Sequence, residues 1–268
     1  MSDLPPRPDV VPLGDGPAAI AGGAWPDRQI AHVLRPELQS FAAEAPRARA
    51  LVLAGGGYTK LMLDKEGTEV ALWLAAQGIE AHVLVHRLPG QADGAGGVWP
   101  ADAALQDGLA ALAHLDALEP LPLFLFGLSS GGHLAGVLAC HAPGAAGAVI
   151  TYAPINANHR HHKYPPGKPD YPPAEKQAFY DAWPVGLAEH PHGVPQVPLF
   201  LAYALGDRSV PVQHLTRLLE TAAEAGLDVD AHVFGRAPHG FALRDRAGSH
   251  ADWSGMALRW MERRMGVG

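Results

Sequence analysis

Phe124-Leu125-Phe126-Gly127-Leu128-Ser129-Ser130-Gly131-Gly132-His133-Leu134-Ala135 is the stretch on which the fold turns. Leu121 to Phe126 is an apolar run of the length of a buried strand. Leu134, Ala135, Val137, Leu138 and Ala139 then read as helix. Between them three glycines surround Ser129 and Ser130, so the order is strand, tight turn, helix, with Ser129 at the apex. Gly127-Leu128-Ser129-Ser130-Gly131 fits G-x-S-x-G, the nucleophile elbow. Small residues are needed there because the turn is sharp and the backbone must approach a substrate. The plainer alternative is a Gly-rich strand-to-helix turn with a solvated serine. The elbow makes demands that the rest of the chain can meet or fail: an acid and then a histidine downstream, each after a strand, and an oxyanion loop upstream.

Working upstream, Ala50 to Ala54 is a buried strand that ends in Gly55-Gly56-Gly57-Tyr58. Three successive glycines leave backbone N–H groups unshielded, as an oxyanion hole requires; a flexible turn is the alternative. Asp64 to Gln77 reads as a helix stopped by Gly78, and Ile79 to His86 as the next strand. Leu105, Leu109, Leu112 and Leu115 recur at helical spacing. Ile30 to Leu38 is expected to be an early edge strand, and residues 1–29, rich in Pro and Gly, an extended N-terminal arm.

Downstream, Ala148 to Tyr152 is a strand, but 153–197 breaks the alternation. Its prolines and aromatics predict a lid over the site, with a short helix at Ala174–Ala182. Pro198 to Ala204 is a strand running into Gly206-Asp207, Asp228 to Phe234 the last strand, and Ser249 to Met265 a closing helix. About seven strands alternating with about five major helices predict an α/β domain over 30–268, with a mostly parallel sheet covered on both faces.

Asp207 follows a strand, where catalytic groups of parallel sheets gather; a turn aspartate is the alternative. Of the histidines beyond it, His214 falls in a helix, His232 in a strand and His250 at a helix start. Only His239, between Pro238 and Gly240, lies in a loop after a strand. Ser129, Asp207, His239 is the order the elbow demands. In this reading Ser129 is the nucleophile, His239 the base and Asp207 its orienting acid, with oxyanion donors from Gly56, Gly57 and Ser130. No metal or organic cofactor is required. His159 and His162 are three apart, a spacing that holds a metal if helical; a solvated turn or lid residues facing substrate is the favoured reading.

Composition closes off other classes. The 268 residues carry 48% hydrophobic and 18% charged residues, enough for one large core. The net charge of −7 and the absence of basic runs argue against a nucleic-acid partner. The single cysteine, Cys140, excludes an intramolecular disulfide and a Cys-based zinc site. No run reaches membrane-span length. Residues 1–8 lack the basic and apolar regions of a signal peptide, so a cytoplasmic location is expected.

The segments 127–135, Ala-Gly-Gly-Gly-Tyr at 54–58, Asp-Lys-Glu-Gly at 64–67 and Ala-Pro-His-Gly-Phe at 237–241 resemble the α/β-hydrolase serine esterases. Among these the chain looks closest to the acetyl xylan esterase-like and feruloyl or acetyl esterase group. It departs from that group at Ala54, where Pro or His is usual, and at His86, where Tyr is common. The resemblance implies hydrolysis of small acyl esters, acetyl foremost, on carbohydrate or small alcohols, with an acetylated oligosaccharide as one candidate substrate. Tyr58 and Trp183 are then expected to contact substrate, as aromatic faces that suit sugars. An arylformamidase or small peptidase on the same fold, an inactive hydrolase-fold binding protein and a His-rich metal-binding module are the competing readings.

Overall fold

The computed structural model describes residues 7–266. Eight strands form one sheet: β1 (Asp9–Pro12), β2 (Glu37–Phe41), β3 (Ala48–Leu53), β4 (Ile79–Val85), β5 (Leu123–Leu128), β6 (Gly147–Thr151), β7 (Leu199–Ala204) and β8 (Val229–Phe234). Among the described residues six α-helices accompany it: α1 (Glu69–Ala76), α2 (Ala103–Asp116), α3 (Ser130–His141), α4 (Ala174–Ala182), α5 (Gln213–Ala225) and α6 (Trp253–Arg264). The spatial order is β1-β2-β4-β3-β5-β6-β7-β8, antiparallel at β1 and β2 and parallel from β4 to β8.

Alternation along the strands builds two cores. Ala50, Val52, Phe124 and Phe126 face the layer containing Val70 and Leu74 of α1 and Trp253 and Trp260 of α6. Leu51, Leu53 and Leu125 face the other layer, with Leu105, Leu138, Leu215 and the lid residue Phe179. Gly108 of α2 lets Leu138 of α3 come close: a Cβ there would lie 2.8 Å from its methyl carbons. Burying both faces is what makes the central strands read as unbroken apolar runs.

The edge of the sheet differs from expectation. Ile30 makes only an isolated bridge to Leu61, and pairing starts at Glu37. Pro36 has no N–H to give a ladder, so the strand begins after it. The stretch read as an extended arm supplies β1, whose register pairs Asp9 with Ser40 and Pro12 with Glu37. Residues 1–6, on which much of the expectation about a leader rests, lie outside the described residues. The helix expected over Asp64–Gln77 divides into a wide π-helical turn at Leu63–Thr68 and then α1. That turn buries Asp64 and Glu66 together, a placement an ordinary helical turn would not give two carboxylates two residues apart. Among the described residues, no helix is long and apolar enough to cross a membrane.

Candidate active site

β5 ends at Leu128 and α3 begins at Ser130, leaving Ser129 alone at the turn with φ 51° and ψ −126°. A non-glycine residue rarely adopts that conformation, at a cost of about 1–3 kcal/mol. The surrounding glycines make it possible. A Cβ at Gly127 would sit 2.6 Å from the Gly132 Cα, and one at Gly131 would collide with the Leu53 carbonyl. One at Gly55 would sit 2.6 Å from the Cβ of Ser129 itself. The elbow therefore sits against the end of β3 and the start of the triple-glycine loop because Gly131 and Gly55 carry no Cβ.

The three residues singled out as nucleophile, base and acid are brought into a line. Ser129 Oγ lies 3.2 Å from His239 Nε2, and His239 Nδ1 lies 2.6 Å from Asp207 Oδ2. Asp207 hangs from the end of β7, with its side chain 1% exposed. Its other oxygen accepts the Ser209 and Val210 N–H groups at 2.8 and 2.9 Å, which fixes the carboxylate plane. His239 follows β8 and is backed by the edge of the Tyr152 ring, centroids 5.2 Å apart. All three sit at the C-terminal ends of parallel strands, where a doubly wound sheet opens a crevice.

The triple-glycine loop, expected to supply oxyanion donors, is arranged in more detail than the glycine run alone shows. The Gly57 N–H donates to Ser130 Oγ at 2.8 Å, so it is engaged. The N–H groups of Gly56 and Ser130 have no hydrogen-bond partner among the described residues. Gly56 holds φ 134°, and a Cβ there would strike the Lys60 carbonyl.

Tyr58 and Trp183 are placed away from the cleft. Tyr58 is 1% exposed, its hydroxyl 2.9 Å from His133 Nδ1, its ring packed on Phe179 and Tyr180. Trp183 packs on His141 and His192, and its carbonyl is 2.8 Å from His133 Nε2. Both brace the root of the lid. His133 is thereby held neutral, its pKa pulled down to about 4 by burial. His214 is fully buried too, with Nδ1 accepting the Asn156 and Ala157 N–H groups, and burial pushes its pKa well down.

The cleft encloses about 370 Å³, and Ser129, His239, Pro154, Asn158, Tyr171 and Tyr180 contribute to its walls. A larger groove of about 720 Å³ runs between Pro17–Gly23 and His32–Leu34, but it holds no nucleophilic side chain. Glu66 is the residue the sequence reading passed over. It lines the cleft while 4% exposed; one oxygen accepts the Gly55 N–H at 2.9 Å and the other the Tyr152 hydroxyl at 3.2 Å. Burial raises its pKa, with His239 and Lys65 pulling the other way. The Asp-Lys-Glu-Gly segment marked it, but only the wide turn shows that the carboxyl joins the oxyanion loop to the residue behind His239. Cys140 is half-buried with its thiol pushed up to about 12, an inert position.

Fold and site together define an α/β-hydrolase. The sequence profile of the prolyl oligopeptidase family (peptidase S9) matches residues 102–268, more than half of the chain, and the chain belongs to that family. An acetylxylan esterase of Xylanibacter ruminicola is 31% identical over 112 residues, 41% of this chain and 22% of that protein. The match therefore spans about a fifth of the curated relative's length. Among solved structures, an acetyl ester-xyloside bifunctional hydrolase from Caldicellulosiruptor lactoaceticus superposes with TM-score 0.70 at 22% identity, covering 99% of each chain. A carboxylesterase from Lactobacillus plantarum gives 0.63 at 19% identity, covering 87% of this chain and 93% of that one. Esterase 2 of Thermogutta terrifontis, phosphorylated by paraoxon, gives 0.65 at 15% identity, covering 98% and 95%.

Proposed function

We propose that the protein is a serine carboxylester hydrolase that removes small acyl groups, acetyl foremost, from carbohydrate or small alcohol esters. The observation that carries this reading is the line Ser129 Oγ, His239, Asp207 at the wall of a small cleft. Ser129 Oγ attacks the ester carbonyl as His239 Nε2 takes its proton. Asp207 holds the imidazole in the tautomer with Nδ1–H and stabilises the imidazolium. The developing oxyanion is received by the N–H groups of Gly56 and Ser130, while Ser130 Oγ keeps Gly57, and with it the loop, in place. His239 returns the proton to the leaving alcohol, and water then releases the acyl group from Ser129 by the same steps in reverse order. The Xylanibacter relative, an acetylxylan esterase, and the esterases among the structural neighbours favour ester substrates.

The prolyl oligopeptidase family match favours a second reading, cleavage of a small peptide amide at the same serine. One panel separates them: p-nitrophenyl acetate to octanoate and acetylated xylo-oligosaccharides against aminoacyl and prolyl p-nitroanilides. Turnover of acetate esters with no amide cleavage supports the esterase; the reverse pattern overturns it.

A further inference from the structure

The chain has only five lysines, Lys60, Lys65, Lys163, Lys168 and Lys176, against fifteen arginines. None of the five is exposed, although lysine is ordinarily a surface residue. Three of them line this cleft, and the other two stand beside its wall residue Tyr171. Lys60, Lys65 and Lys176 line it. Lys163, Lys168 and Lys176 place their ammonium groups 5.7, 4.9 and 5.1 Å from the ring of Tyr171, itself a wall of the cleft. Lys163 is neutralised by Asp170 at 2.6 Å. Lys60, Lys65, Lys168 and Lys176 have no ion-pair partner among the described residues. Lys176 is 8% exposed, and burial and Lys168 pull its pKa below the usual lysine range, as befits a cation short of counter-charge.

Two of these ammonium groups stand by the loops next to the nucleophile and its base, Lys65 with Glu66 Oε1 beside it at the Gly240 position (3.6 Å from a Cβ there). A Cβ built on Gly57 would lie 3.8 Å from Lys176 Nζ, and one on Gly240, next to His239, would lie 3.4 Å from Lys65 Nζ. Glu66 is the one carboxylate in the same wall, and its oxygens are held by Gly55 and Tyr152. A cationic cleft in a molecule of net charge −7 is a local reversal of sign that draws an anion in. We infer that the substrate of this site is an ester bearing a carboxylate, with Lys176 and Lys65, by those loops, receiving that group. The inference rests on the esterase reading, and the carboxylate belongs either to the acyl part or to the alcohol.

Two matched pairs decide it: 4-acetoxybenzoate against 4-acetoxybenzamide for the alcohol side, and monomethyl against dimethyl succinate for the acyl side. In at least one pair the anion should be preferred in kcat/KM by about tenfold or more at low ionic strength, as for a hydrogen bond to a charged group. That preference should shrink in high salt and fall toward unity in Lys176→Gln. Equal or better turnover of both neutral members, or an equal loss on both members in Lys176→Gln, overturns the inference while leaving the esterase intact. Protection of Ser129 from a fluorophosphonate by benzoate but not benzamide reads the cation site without any turnover. If no ester reacts, protection upholds the site against a failed esterase reading, and its absence overturns both.

A second observation stands apart from the cleft. His190, 28 residues beyond His162, joins His159 and His162, and one ring nitrogen of each lies within 4.8 Å of the others. His162 Nε2 meets Glu189 Oε1 at 2.9 Å. His159 is 5% exposed, and the other two rings are half-buried. Three imidazoles with an adjoining carboxylate suit a tetrahedral divalent metal such as Zn²⁺, whose bonds of about 2.0–2.1 Å require the nitrogens to close by about 1.5 Å at most. Glu189 supplies either the fourth ligand or the carboxylate that orients His162. We propose that these residues form a structural zinc site stapling the two ends of the lid.

Competition with a chromophoric chelator should show one tight Zn²⁺ equivalent on the untagged chain, with Tm rising as Zn²⁺ is added. His190→Ala should weaken binding by more than about 100-fold, since losing even an outer partner costs 10- to 100-fold. His32→Ala, an exposed histidine elsewhere, should change neither affinity nor Tm. Affinity and Tm response unaltered in His190→Ala, or no stoichiometric binding, overturns the site.

Discussion

At the scale of the residue, chemistry and support divide cleanly. Ser129→Ala and His239→Ala should each lower kcat by about 10³-fold or more and by similar factors, because the three groups act as a unit. Mass spectrometry should place a fluorophosphonate adduct on Ser129. His214→Ala should behave otherwise: His214 anchors the Asn156 and Ala157 N–H groups, so its loss shows as a lowered Tm first. Glu66→Ala leaves the buried Gly55 N–H unpaired, a loss of about 1–3 kcal/mol in stability, and loosens the oxyanion loop. The expected signature is a fall in kcat with KM little changed, partly restored by Glu66→Gln, which can still accept from Gly55; an unchanged kcat in Glu66→Ala would refute this role. His133 sets a pH limit. Its folded pKa of about 4 lies below the ordinary 6.5, so the neutral form is the one folding selects. Its contribution is full above pH 6.5 and is lost as pH falls through that window toward 4, by about 3 kcal/mol in all. Denaturant midpoints measured from pH 7 to 4 should therefore drop, and drop less in a His133→Asn variant.

Among the elements, the segment 153–197 is expected to set which ester fits the proposed site. The α4 helix brings Tyr180 to the cleft wall and turns Trp183 toward His141 and His192. A space of about 370 Å³ shared by acyl and alcohol groups suits short chains. From acetate to octanoate, kcat/KM should fall beyond butyrate, each methylene that cannot be seated being worth about 1–3 kcal/mol. Tyr180→Ala should flatten that decline and Trp183→Ala should not. A profile that stays flat in the native enzyme would show a cleft that opens onto a trough.

Across the whole molecule, the N-terminal segment is part of the fold rather than a trailing arm. Arg28 forks onto Asp64 at 2.8 and 3.1 Å, its N–H adds a third bond at 2.7 Å, and Asp64 is wholly buried. The wide turn that carries Glu66 into the site is thus pinned from outside by the segment before β2. Arg28→Ala strands a buried carboxylate and should cost about 3 kcal/mol or more. Tm should fall and esterase kcat with it; a silent substitution would mean that the turn holds its shape unaided.

The elbow, the triple glycine, the order Ser129, Asp207, His239 and the short helix at Ala174–Ala182 were all legible in the chain, because each is a local matter. A buried strand is an apolar run, a strained turn needs glycine, and a catalytic loop follows the strand that positions it. Tertiary structure alone decided what depends on residues far apart in sequence. Tyr58 looked like a substrate platform because it follows the glycines, yet its ring is claimed by Phe179 and Tyr180. The Gly57 N–H looked free until Ser130, 73 residues away, proved to hold it. Pairing of β1 with β2, the meeting of His190 with His159 and His162, and the gathering of Lys60, Lys65 and Lys176 at one cleft left no local pattern. Local propensity reports only what a residue does to its own backbone; where a side chain ends is settled by which distant surface is there to receive it.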